Sequence, residues 1–303
     1  MMRRLLLSIL CWSLRVEGHE PIEPLPLTVE LDPRLLRLGA KLFQDKRLSR
    51  HQDQSCASCH DLQRGGIEGP AAPPTRPDGF NIPTIFNVGF HFKYLWTGRA
   101  ESLEEQIEIT LTSPRVFQND WPTVLQRLQG DPQYQGQSLS PDLIKKAIAT
   151  YERSLITPNA RFDRYLRGET QAISPLEKKG YQLFKDLGCS SCHQGRLLGG
   201  NMYQKFGIFR HANPKAERRL FERDLGRYAV TRKDEDKFVF KVPSLRNVEH
   251  TAPYFHNGSA ATLDDAVAGM GRYQLGRELS RSEINSLVSF LRTLTGEWPR
   301  PVP

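Results

Sequence analysis

The chain has 303 residues, 42 Lys and Arg against 34 Asp and Glu, and a formal charge of +8. That length is enough for two domains, each burying its own core. The basic residues are scattered rather than run together, which argues against a nucleic-acid partner.

At the N terminus, Arg3 and Arg4 precede an apolar run over residues 5–14, and Val16-Glu17-Gly18 offers small residues for cleavage. This is the pattern of an export signal over residues 1–18, too short to cross a bilayer as a permanent helix. The cleavage site is not a clean Ala-x-Ala, so an uncleaved anchor is the alternative. Cys11 lies inside the segment, and Ser8-Ile9-Leu10 before it lacks the small residue of a lipoprotein signal. Without residues 1–18 the chain keeps 39 basic and 33 acidic side chains, a charge of +6. No later segment is apolar enough to enter a membrane.

Asp32-Pro33 opens a helical pattern that passes Gly39 and reaches Leu42-Phe43. The first motif follows, Cys56-Ala57-Ser58-Cys59-His60, and then Gly65-Gly66. Ser140-Pro141 opens a second helix with apolar Ile144, Ala147, Ile148, Tyr151 and Leu155, closing before Pro158. The order then repeats. Ser174-Pro175, with Glu177 completing a capping box, opens a helix through Gly180 to Leu183-Phe184. Cys189-Ser190-Ser191-Cys192-His193 and Gly199-Gly200 come next. Ser280 and Glu283 cap a last helix carrying Ile284, Leu287, Val288, Leu291 and Leu294, which closes at Gly296.

Between these helices the two halves stand in register at an offset of 160 residues. Pro83, Asn87, Val88, Gly98, Ala100 and Leu103 recur as Pro243, Asn247, Val248, Gly258, Ala260 and Leu263. So many identities in one register point to duplication. No sustained alternation suggests an extended sheet. The expected fold is mostly α: two cytochrome c-like domains related by internal duplication, over residues 19–160 and 161–303, meeting near residues 157–173.

Cys-X-X-Cys-His has a chemical reason for its spacing. Two thiols separated by two residues add to the vinyl groups of one haem, and the next residue offers an imidazole to the iron. Cys56, Cys59 and His60 would hold one covalent haem c, and Cys189, Cys192 and His193 a second. A zinc ribbon brings its two arms within roughly 20 residues, whereas more than a hundred separate these. A thiol redox pair accounts for neither the histidine nor the repetition. Two haems also add up to four propionates, which bring the exported protein close to neutral.

A haem that only carries electrons has both axial positions filled, while one that does chemistry leaves a position open. Met270, expected in a glycine-flanked turn Gly269-Met270-Gly271 after a helix over residues 262–268, is the candidate sixth ligand of the second haem. The residue 160 positions earlier is Thr110, a poor iron ligand. The first haem therefore lacks the partner that closes the second.

With these residues in place, the chain resembles the bacterial dihaem cytochrome c peroxidase family, which includes the dihaem oxidase that matures methylamine dehydrogenase. Residues 56–66, Asn81-Ile82-Pro83-Thr84, Trp96-Thr97-Gly98-Arg99-Ala100 and residues 240–248 carry the resemblance, with Thr251-Ala252-Pro253-Tyr254-Phe255-His256-Asn257-Gly258 and residues 270–275. It implies a peroxide-reactive haem on His60 and an electron-receiving haem between His193 and Met270. It also implies that Trp96 lies between the haems, that Gln106 stands in the reactive pocket, and that His256 fastens structure. Asn81, Thr251 and Pro253 match a calcium site between the domains. Hydrogen peroxide is the implied substrate, a small periplasmic cytochrome c or cupredoxin the electron donor, and a homodimer a candidate assembly.

The departures are as specific. Residues 61–80 contain no histidine to close the first haem, and His91, between Phe90 and Phe92, reads better as a packed or surface residue. The family's proline falls on Thr110 and its glutamate on Val116, so the expected acid–base group is missing. Glu108 would replace it only by turning inward, and two residues from Gln106 it projects from another helix face. Three functions stand in order: a periplasmic peroxidase, a dihaem oxidant of a partner protein's aromatic side chains, and a non-catalytic electron carrier or sensor. Met270, where the maturation enzyme has tyrosine, favours the first.

Overall fold

The computed structural model describes residues 20–67, 80–209 and 225–299. The expected export signal, and most of the loop after the first Gly-Gly pair, lie outside the described residues. The N-terminal half contains α1 (Pro33–Gln44), α2 (Cys56–Cys59), α3 (Leu103–Thr112), α4 (Trp121–Gln129) and α5 (Pro141–Ser154). The C-terminal half contains α6 (Arg161–Leu166), α7 (Pro175–Asp186), α8 (Tyr228–Thr231), α9 (Leu263–Leu275) and α10 (Arg281–Arg292). Among the described residues, β structure is confined to β1 (Tyr203–Lys205) and β2 (Val239–Lys241), paired antiparallel with Tyr203 opposite Lys241, and a few isolated bridges. The molecule is mostly α, as its sequence pattern implies.

Local chemistry sets the helix starts. The Asp32 carboxylate accepts from the amides of Arg34 and Leu35, and Ser174 and Ser280 form reciprocal capping boxes with Glu177 and Glu283. Each such cap is worth about 1 kcal/mol. The same crossing is then built twice. Where α1 meets α5, a side chain at Gly39 would lie 2.0 Å from the Ala147 carbonyl oxygen; where α7 meets α10, one at Gly180 would lie 1.9 Å from that of Ser286. Any β-carbon would force either pair apart.

Each half has its own apolar core, but the first and last described segments each pack on the opposite one. Ile22 packs in the C-terminal core, and the Pro21 carbonyl accepts from Gly195 N–H. After the last helix, Trp298 packs against the N-terminal core, edge-on to Phe86 with centroids 5.8 Å apart. Ile22 and Trp298 thus each pack on the core of the opposite half. Arg246 secures the stretch around Ile22: it pairs with buried Asp163 at 2.7 Å and donates to the Glu23 carbonyl. At the seam, Asn87 and Asn247 both donate to Thr157 Oγ1, at 2.8 and 2.9 Å. One hydroxyl thus serves the same position of both repeats.

Candidate functional site

In the first half α2 carries Cys56 and Cys59, and the chain turns at His60. His60 Nδ1 lies 3.1 Å from the Gly66 carbonyl; in the second half His193 Nδ1 lies 3.0 Å from that of Leu198. An imidazole that donates from Nδ1 presents its Nε2 lone pair elsewhere, as an iron ligand must. Burial keeps both rings neutral, lowering His193 and bringing His60 down to about 4. Burial also pushes the Cys56 and Cys189 thiols up, the latter to about 11.

Gly199 shows why the glycine pair is needed. Its φ is +129°, and a β-carbon there would lie 2.1 Å from the Pro243 carbonyl oxygen. The loop therefore folds tightly beneath the histidine. Above it lies a cavity of ≈ 340 Å³, bordered mainly by apolar atoms and lined by Cys189, Cys192, His193 and Met270. Its size and lining suit a large apolar ring, and the donor set on it suits haem iron. Met270 reaches this cavity from inside α9, which runs unbroken through Gly269 and Gly271. The expected glycine-flanked turn is a helix. Its glycines serve close packing, Gly269 against the Phe255 ring and Gly271 against Leu279 and the Arg277 carbonyl.

The first half differs where the repeat predicts. Thr110 lies on α3, and its hydroxyl accepts from Gln106 Nε2 at 2.8 Å. Glu108 does not turn inward. Both its oxygens accept from Trp121 Nε1 at 2.9 Å, and Lys145 Nζ lies 3.1 Å away. Val116 sits in the turn after α3 and is 39% exposed. Between the halves, Trp96 donates from Nε1 to the Asn81 carbonyl at 2.7 Å. Asn81 in turn reaches the Pro253 carbonyl at 2.5 Å, with Thr251 two residues earlier on the same turn.

Two family models divide the chain: di-haem cytochrome c peroxidase matches residues 33–171, and cytochrome c matches residues 177–295. Cytochrome c551 peroxidase of Nitrosomonas europaea is 38% identical over 93% of this chain and 86% of its own length.

The chain belongs to the di-haem cytochrome c peroxidase family.

Cytochrome c peroxidase Ccp of Escherichia coli K12 is 39% identical over 92% of this chain, which spans 62% of that relative's length. Methylamine utilization protein MauG of Methylorubrum extorquens is 30% identical over 90% of this chain and 82% of its own. A crystal structure of a MauG-like protein associated with microbial copper homeostasis shares the fold, with a TM-score of 0.73 over 94% of this chain and 96% of its own at 24% identity. Like the family, the chain is an oxidoreductase acting on peroxide, and it carries two covalent c-type haems.

Two groups near these centres escaped the sequence reading. Glu152, on α5, is 5% exposed, and burial raises its carboxyl to about 8; nothing in a helical run announces a buried glutamate. The second is Lys241, whose Nζ lies 2.6 Å from His91 Nδ1 on the Met270 cavity. The repeat register holds the signal for the second case, because Lys241 stands 160 residues after Asn81.

Proposed function

We propose that the chain is a periplasmic peroxidase that reduces hydrogen peroxide to water with electrons from a small c-type cytochrome or cupredoxin. One observation carries the reading. His193 shares its cavity with Met270, whereas the matching position in the first half is Thr110, whose hydroxyl is tied to Gln106. When bound, the haems supply an iron with a position open to peroxide and a second iron that passes electrons singly.

The side chains divide the remaining work. Gly66 and Leu198 orient His60 and His193 through their Nδ1 atoms. Gln106 spends an amide proton on Thr110 and keeps its carbonyl oxygen to orient a small polar substrate. Trp96, fixed at Nε1, fills the space between the halves and lines the Met270 cavity. With Val116 at the turn and Glu108 committed to Trp121 and Lys145, protons reach the open site from water rather than from a carboxylate. Each turnover consumes two protons and two electrons, so this absence slows the reaction.

A calcium ion between the halves would use Asn81 and the carbonyls of Thr251 and Pro253, oxygen donors suited to a hard cation. In the structure Asn81 Nδ2 donates to the Pro253 carbonyl at 2.5 Å, so a calcium ion would replace that bond, with the amide turned to present Oδ1. Steady-state turnover of the two-haem protein with peroxide and a reduced small cytochrome tests the function. Sustained donor oxidation, increased in Val116→Glu, supports it; no peroxide-dependent oxidation in either protein points to a non-catalytic carrier.

A further inference from the structure

The junction between the halves buries a cation that the peroxidase reading leaves unused. Lys241, the last residue of β2, is 8% exposed, and its Nζ lies 2.6 Å from Nδ1 of His91. Both side chains line the cavity that also holds Cys189, Cys192, His193 and Met270. Burial pulls the Lys241 ammonium down to about 7 and holds His91 well below its ordinary value. Among the described residues, no acidic side chain offsets that burial. An ammonium taken out of water without an anion is costly, so its retention points to an anionic partner.

The hydrogen bonding shows what kind of partner fits. A neutral His91 accepts from Lys241 at Nδ1 and therefore carries its own proton on Nε2. The pair thus offers two kinds of N–H donor from adjacent groups, an arrangement matched to the two oxygens of a carboxylate. The repeat shows that the charge is particular to one half. Lys241 N–H donates to the Trp96 carbonyl at 2.9 Å, just as Asn81 N–H donates to the His256 carbonyl at 2.7 Å. Trp96 and His256 are 160 residues apart, as are Asn81 and Lys241. At the matching side chain, Asn81 is neutral and turns to the Pro253 and Phe255 carbonyls. Asn81 and Lys241 line the same cavity, and of these two matched positions Lys241 alone brings a positive group to it.

We propose that Lys241 and His91 bind a propionate carboxylate of the haem seated on Cys189, Cys192 and His193. This rests on the two-haem reading. A positive charge held there favours the reduced iron, whose charge is lower, so Lys241 acts in the same direction as the Met270 thioether. The two devices set the second haem as the electron receiver from opposite sides: one on the metal, one on the rim of the ring.

Purified holoprotein with two haems per chain tests this in Lys241→Met, Lys241→Arg and His91→Asn. Two measurements apply: the propionate bending bands in the resonance Raman spectrum, and the potential of each haem by spectroelectrochemical titration. Lys241→Met should shift a propionate band and lower the potential of the methionine-ligated haem, leaving the first haem's potential in place. Lys241→Arg should restore most of both, and His91→Asn should move the same band by a smaller amount. Unchanged bands and potentials in Lys241→Met and His91→Asn, with both haems retained, would overturn the proposal. A shift confined to the first haem would overturn it as well. Should Lys241→Met fail to fold, His91→Asn alone decides by the same bands. A parent with fewer than two haems would instead remove the reading on which the proposal stands.

Discussion

Trp96 and His256 occupy the same position of the two repeats, and their rings meet edge to face with centroids 6.4 Å apart. Each backbone carbonyl accepts from the opposite half of the duplication, Trp96 from Lys241 and His256 from Asn81. The tryptophan is therefore held at the seam by its backbone, its indole N–H and a facing aromatic ring.

Trp96→Phe should keep the packing, lose the bond to Asn81 and cost about 1 kcal/mol of stability. Its haem spectra should match the parent's, while turnover with a reduced protein donor slows. Donor-driven turnover equal to the parent's would reduce Trp96 to a packing residue.

Met270→Ala should abolish the weak red-end charge-transfer band of the oxidised protein and lower the potential of one haem, because a soft ligand that favours Fe(II) is gone. Absorption and redox titration check this together. An unchanged band would mean that another side chain closes the second iron.

Gly180→Ala places a methyl group 1.9 Å from the Ser286 carbonyl oxygen. Overpacking of this kind costs about 1–3 kcal/mol, and Gly39→Ala should cost a similar amount at the matching crossing. Denaturant unfolding of the two variants measures it. Tolerance at both sites would show that the helix pairs slide freely.

Glu152 gives a pH signature. Burial raises its carboxyl from 4.5 to about 8, with nearby Glu104 adding and Arg153 opposing. Between those values the folded chain holds a proton that the unfolded chain releases. That stability is complete below 4.5 and is lost as pH rises toward 8, by up to about 1.4 kcal/mol per unit. Glu152→Gln should therefore gain on the parent across that window when both are unfolded in denaturant. Parallel stability curves would contradict a neutral buried Glu152.

Much of this architecture is written locally. The Asp32, Ser174 and Ser280 caps, the two haem motifs and the register linking Asn87 to Asn247 need only neighbouring residues or a fixed offset to be seen. What stayed hidden depends on distant partners. Gly269 and Gly271 look like a turn because glycine costs about 1 kcal/mol inside a helix, yet Phe255 and Leu279 pack where side chains would stand. Ile22 and Trp298 cross to opposite cores with no local pattern to show it. Lys241 finds His91 across 150 residues, a pairing visible only once the halves are folded together.

The central claim is that the halves differ at one axial position, closed by Met270 in the second and left open at Thr110 in the first. Electron paramagnetic resonance of the fully oxidised, resting holoprotein tests this directly. The account predicts one high-spin and one low-spin haem signal in equal amount, with only the high-spin signal responding when peroxide is added. Two low-spin signals in the resting protein would contradict it.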